Sequence, residues 1–232
     1  MKKSSYIITI VALASFAFGG AKVQAAVSST HTSENEINFI AGEGVVTPPV
    51  DPTNPDNPNV PKPLDPTDPE NQGTGQTGPL SIDYVSNIKF GQHKITGKDI
   101  AYKALNANPF VQVTDLRGAG EGWHLSAKMT EFKNGNKVLK GASLAFKNGV
   151  VKAGSSSNIS LAPTHSEMLF TNADSRPVMN AKDKSGRGTW LTTWSGTDQA
   201  NEAVQLNVIA GTPEANTEYT SSITWELEDA PK

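Results

Sequence analysis

Two tryptophan-bearing triplets are the sharpest local pattern in the chain: Trp123-His124-Leu125 and Trp225-Glu226-Leu227. On a β-strand, residues i and i+2 point to the same side, so each triplet puts an indole and an isobutyl group on one face. Two uses follow. The pair can be core, since one Trp buries up to about 250 Å². It can also be an exposed platform that stacks on sugar rings. Trp190 and Trp194, in GRGTWLTTW, share one side of a candidate strand with Thr192 between them. They are candidate glycan contacts lining a groove. Lys128, Lys133, Lys137, Lys140, Lys147 and Lys152 fall in a stretch whose single acid is Glu131. Gathered on one side, they would form a basic patch for anionic polymers, with affinity falling as salt rises. Left apart, they are an ordinary solvated surface.

Other chemistry is thinly represented. With no cysteine, the chain has no disulfide, thiolate metal site or cysteine nucleophile. His31, His93, His124 and His165 are scattered, with no pair at metal-ligand spacing. Gly73-Thr-Gly-Gln-Thr-Gly78 matches a dinucleotide fingerprint, but it follows a proline-rich run and opens no helix, so it reads as a hinge. Asp115 and Glu121 flank a Gly-rich loop and are expected at the surface, Asp115 with Arg117 as a turn contact. No catalytic residue, metal or cofactor is expected, and the chain is not expected to be an enzyme.

The elements that must carry these residues are organised by charge and proline. Met1-Lys2-Lys3, the apolar run Tyr6–Phe18 and Val23-Gln24-Ala25 predict a signal peptide over residues 1–25. Residues 26–44 form a short segment with a candidate strand over 36–40, either unpaired or paired with the domain that follows. Residues 45–78 are an acidic Pro/Gly-rich spacer, expected to be extended and disordered, with Asp-Pro and Asn-Pro steps that repeat in composition only. Nine of the fifteen prolines lie between Pro48 and Pro69.

Residues 79–232 change period to two. Leu80, Ile82, Tyr84, Ile88 and Phe90 alternate with mostly polar neighbours; so do Val204, Leu206, Val208 and Ala210, and Tyr219, Ser221, Ile223, Trp225 and Leu227. Such alternation, broken by turn residues, predicts antiparallel strands with one buried face. Asn134-Gly135 and Asn148-Gly149 predict hairpin turns. The fold class is all-β, a sandwich or barrel-like domain behind a proline-rich spacer.

The segments NFIAGEG, DPTNPDNP, GTGQTGPLSIDYVSNIKFG, VQVTDLRGAGEGWHLSAKM and YTSSITWELEDAP occur in this order over nearly the whole mature chain. Together they resemble the WxL-domain family of Gram-positive surface proteins. The resemblance implies a secreted protein that attaches non-covalently to peptidoglycan or another anionic wall polymer. A membrane-anchored surface protein is an implied partner, and neither nucleic acid nor a membrane span in the mature chain is expected. An adhesin held by such a partner is the alternative. Trp123, Leu125, Trp225 and Leu227 are the signature positions by motif, accompanied by Tyr219, Thr224 and Asp229-Ala230-Pro231. Wall contact and core both stand open for them.

Overall fold

The computed structural model describes residues 27–229, so the leader (1–25) and the closing Ala230-Pro231 lie outside the described residues. There is no helix among the described residues and none long and apolar enough to cross a membrane. The described residues form fourteen strands: β1 Leu80–Val85, β2 Ile100–Ala104, β3 Phe110–Asp115, β4 Trp123–Met129, β5 Lys133–Asn134, β6 Lys137–Val138, β7 Ser143–Phe146, β8 Val150–Ala153, β9 Thr164–His165, β10 Met168–Phe170, β11 Arg176–Ala181, β12 Gly188–Thr193, β13 Asn201–Val208 and β14 Ile223–Glu228. They form three antiparallel four-stranded sheets, ordered β1-β3-β12-β8, β10-β7-β13-β2 and β14-β4-β11-β9, and a β5-β6 hairpin.

One core joins the three sheets. Val111, Val113 and Trp190 come from the first sheet, Leu144, Phe146 and Val204 from the second, and Trp123, Leu125 and Met179 from the third. The expected all-β sandwich class is what forms, because each alternating run turns its apolar side to this shared interior.

Two local expectations change. A β-bulge between Ile82 and Tyr84 shifts the phase of β1. Ile82 stays on the core side, whereas Tyr84 crosses to the opposite face and stacks on Phe110 at 4.4 Å. A bulge adds one residue and reverses every later side chain, which a strict period of two does not anticipate. Asn148-Gly149 does not close a hairpin either. It joins β7 in one sheet to β8 in another, with Asn148 at φ 55° making the corner.

The chain divides into two units between Asn38 and Phe39. The described part of the first, residues 27–38, carries no strand and is exposed. In the second unit, Phe39 and Ile40 are also exposed and unpaired. The candidate strand over 36–40 therefore does not form. A lone strand gains no ladder and covers no apolar face.

The proline-rich segment is folded onto the domain instead of standing off from it. Asp51 Oδ1 accepts hydrogen bonds from the Thr53 amide (2.8 Å) and hydroxyl (2.7 Å), and Asp65 Oδ1 accepts the same pair from Thr67 at the same distances. The Asp-Pro-Thr repeat is thus structural: each Pro sets φ and each Asp caps the turn it starts. Gln112 on β3 ties the segment down, accepting from the Val50 amide at 2.9 Å and donating to the Pro48 carbonyl at 3.2 Å. Asn106 Nδ2 donates to Asp65 Oδ2 at 2.5 Å, and Lys152 Nζ donates to the Pro52 carbonyl at 2.6 Å. Val50 and Leu64 pack on Tyr84, Phe110 and Leu191, so β3 is buried on both faces. Burial pushes the Tyr84 phenol up to about 12. The expected Gly73–Gly78 hinge runs along the free edge of β1, where Thr74 N donates to the Asp83 carbonyl at 2.8 Å. This covers an edge that would otherwise be open to another strand.

Candidate functional site

The two Trp-x-Leu triplets are neighbours in space. β4 and β14 pair so that Leu125 faces Leu227 and Ala127 faces Trp225. Trp123 and Leu125 are fully buried, and Trp225 and Leu227 pack half-buried against the same core from an edge strand. The signature side chains therefore lie on the core side of one sheet. Thr224 is exposed opposite Lys128, and the Tyr219 hydroxyl accepts from the Glu214 amide at 3.1 Å.

Trp190 and Trp194 are also buried, and neither offers a face to a sugar. Trp194 packs edge-on against Phe146 at 5.0 Å. Trp190 sits on β12, between β3 and β8, Trp194 follows directly after that strand, and both indoles belong to the shared core.

The buried indoles instead hold a turn. Trp123 Nε1 donates to the Gly186 carbonyl at 3.1 Å, and Trp190 Nε1 donates to the Arg187 carbonyl at 3.0 Å. Gly186 has φ 74°, and a Cβ there would lie 2.6 Å from the Trp123 indole nitrogen. Only glycine fits both conditions. The loop before β9 is stapled to the same turn. The Gly186 amide donates to the Leu161 carbonyl (2.8 Å), the Arg187 amide donates to Ser160 Oγ (3.0 Å), and Asn158 Nδ2 donates to the Arg187 carbonyl (2.9 Å). The Gly-rich loop 118–122 joins through its Gly120 carbonyl, which accepts from the Lys184 amide at 2.6 Å.

The first two of these loops frame an open cleft of about 310 Å³, lined by Asn158, Ile159, Ser160, Leu161, Lys184 and Arg187. Ile159 is 99% exposed and Leu161 69%. Lys182, Asp183, Lys184 and Arg187 are exposed, and no carboxylate among the described residues forms an ion pair with the three cations. Lys184 is held at φ 65°, a left-handed conformation that costs a non-glycine residue about 1–2 kcal/mol. Asn148, Gln199 and Asn216 adopt the same left-handed region elsewhere in the fold. Sequence patterning gave no warning of this cleft, because Ile159 and Leu161 belong to no apolar stripe. The residual signal was two large aliphatics in a Ser/Asn loop and an arginine set between glycines.

Three of the six lysines are engaged by neighbours and three are not. Lys128 pairs with Glu226 across β4 and β14. Lys137 pairs with Glu214 at 2.8 Å, which holds its ammonium above the usual lysine range. Lys152 is spent on the Pro52 carbonyl. Lys133, Lys140 and Lys147 are exposed, and no carboxylate among the described residues pairs with them. Asp115 is buried and not at the surface, while Glu121 is exposed. Arg117 meets Asp115 with two donors, Nε at 3.0 Å and Nη2 at 2.9 Å, and also donates to the Gly122 carbonyl at 2.7 Å. The hydrogen bonds to Asp115 raise the already high arginine pKa. This forked pair fixes the base of the Gly-rich loop. No group of three His, Asp or Glu side chains among the described residues is placed to hold a metal ion.

A family model described as a WxL domain, surface cell wall-binding, matches residues 26–231. No curated protein sequence matches the chain, and no solved structure does.

Proposed function

From the premise that this chain belongs to the WxL family of surface cell wall-binding domains, we propose that it is secreted by a Gram-positive cell and held non-covalently on the peptidoglycan of the wall. The family match over residues 26–231 carries this reading. Binding, not catalysis, is the role it supports. Exposed cations and aliphatic side chains gathered at one loop cluster suit adhesion to a polymer carrying both carboxylates and methyl groups.

The test is co-sedimentation of residues 26–232 with purified sacculi across a salt series. Wild-type protein pelleting with sacculi and released by rising salt is expected. Protein that stays in the supernatant at every salt concentration would remove direct wall attachment.

A second reading gains support from one observation. Ile37, Phe39 and Ile40 are 76%, 82% and 89% exposed near the start of the described chain. An apolar segment this open suits a protein partner, such as a membrane-anchored surface protein that would hold the chain as one subunit of a complex.

A further inference from the structure

We propose that the cleft between residues 158–161 and 184–187 is the wall-contact site, and that its ligand is the peptide stem of peptidoglycan. This rests on the reading of the protein as a wall binder. Two observations carry the assignment.

The cleft is built before any ligand arrives. Its two rims are tied by the Ser160–Arg187, Asn158–Arg187 and Leu161–Gly186 hydrogen bonds. The 184–187 rim hangs from two buried indoles. The Arg187 side chain lies against Gly120, where a Cβ would come within 2.9 Å of its Nε. A site held this way loses little entropy on binding.

Its chemistry is two-sided. Lys184 and Arg187 offer positive charge without a carboxylate partner among the described residues. Ile159 and Leu161 offer aliphatic surface beside it. Ile159 is the most exposed large aliphatic among the described residues, and Leu161 lies two residues along the same rim. A short peptide with a free carboxylate and methyl side chains satisfies both halves. A polyol phosphate would satisfy only the cations, and a stem-free glycan strand keeps a lactyl carboxylate and small methyl groups but lacks the extended peptide that would lie along Ile159 and Leu161 beside both cations.

The experiment uses residues 26–232 with three probes: intact sacculi, sacculi stripped of phosphate polymers, and glycan strands whose stems have been removed by an amidase. Arg187→Glu and Ile159→Asp change exposed side chains, and unaltered melting temperatures establish that both variants fold. Lys133→Glu/Lys140→Glu serves as a charge control away from the cleft. Expected are wild-type binding to both sacculus preparations, none to stem-free glycan, and a loss of about tenfold or more in both cleft variants but not in the control. Cleft variants that bind like wild type would overturn the assignment and leave wall attachment standing. Equal binding to stem-free glycan would do the same, and so would binding lost on stripping the phosphate polymers. Wild-type protein that binds no wall preparation would overturn wall attachment itself.

Discussion

The indole N–H groups of Trp123 and Trp190 hold two consecutive carbonyls, those of Gly186 and Arg187, at 3.1 and 3.0 Å. One tryptophan lies on β4 of the third sheet and the other on β12 of the first. The turn is therefore gripped from both sheets at once. A signature tryptophan that touches no solvent can still govern what the surface presents.

Replacing Trp123 separates these two duties. Trp123→Ala should cost about 3–5 kcal/mol, the range for deleting a buried large aromatic. Trp123→Phe keeps most of the apolar surface but leaves the Gly186 carbonyl unpaired, at a cost of about 1–3 kcal/mol. Urea unfolding measures both. Amide exchange adds a readout that general destabilisation would not single out. In the phenylalanine variant, the Gly186 and Arg187 amides should exchange faster than those of β3 under native conditions. Uniform exchange across the domain would show that the indole fills space only.

The turn glycine permits a sharper comparison. Gly186 and Gly211 both have positive φ, 74° and 78°. At Gly211 a Cβ meets nothing within 4 Å, whereas at Gly186 it meets the Trp123 indole and Ala181. Gly211→Ala should cost only the left-handed strain, about 1–2 kcal/mol. Gly186→Ala adds overpacking worth about 1–3 kcal/mol more. Thermal melts of the two variants should rank in that order. Equal losses would mean that the turn can shift away from the indole.

The contrast shows which features the sequence made legible. Strand runs such as 123–129 and 223–228 were plain because apolar and polar residues alternate through them, although β4 also buries His124 and Ser126 on its polar side and β14 is only half-buried. Tyr84 was misplaced because a single bulge residue leaves no mark in composition. The 45–78 segment was misread for a related reason. Proline density predicts an extended chain, but it does not say whether a complementary surface waits for that chain. Here the surface comprises Tyr84, Phe110, Gln112 and Leu191, contributed by three strands far apart in sequence. The cleft escaped notice because its parts come from two loops distant in sequence, joined by hydrogen bonds to backbone groups that apolar patterning does not encode.

Truncations should distinguish the described parts of the N-terminal region. Removing residues 27–38, which are exposed and carry no strand, should move the melting temperature of residues 26–232 by less than about 2 °C. Substituting Leu64→Ser instead places a polar group against Tyr84 and Phe110. That should cost about 1–2 kcal/mol and raise binding of an apolar dye, because the outer face of the first sheet opens. Asp65→Ala should act in the same direction by freeing the Thr67 turn and leaving Asn106 short of an acceptor. A variant lacking 27–38 that melts well below the parent would show that this segment contributes to the fold.

Acid should bring out opposite behaviour from two buried carboxylates. Burial raises the Asp83 pKa above its ordinary 3.8, against hydrogen bonds from Thr114, Ser81 and Gln112 that pull it down. The folded state thus takes up this proton more readily than the unfolded chain. Stability from this group is highest at and below the unfolded value and declines as pH rises through the folded one. Asp51 differs: burial pushes it up, but hydrogen bonds from Thr53, Asn57 and Asn54 outweigh that and leave it lowered. Its contribution is present above 3.8 and is lost as pH falls through the folded value. Urea unfolding of wild type, Asp83→Asn and Asp51→Asn from pH 3 to pH 7 measures each slope by difference. The gap between wild type and Asp83→Asn should favour wild type more at pH 4 than at pH 7. The gap to Asp51→Asn should shrink as the pH drops below 4. A pH-independent gap for Asp83→Asn would mean that its carboxylate is as well solvated in the fold as in the open chain, which would leave the Gln112 anchor of the proline-rich segment without a desolvated partner beneath it.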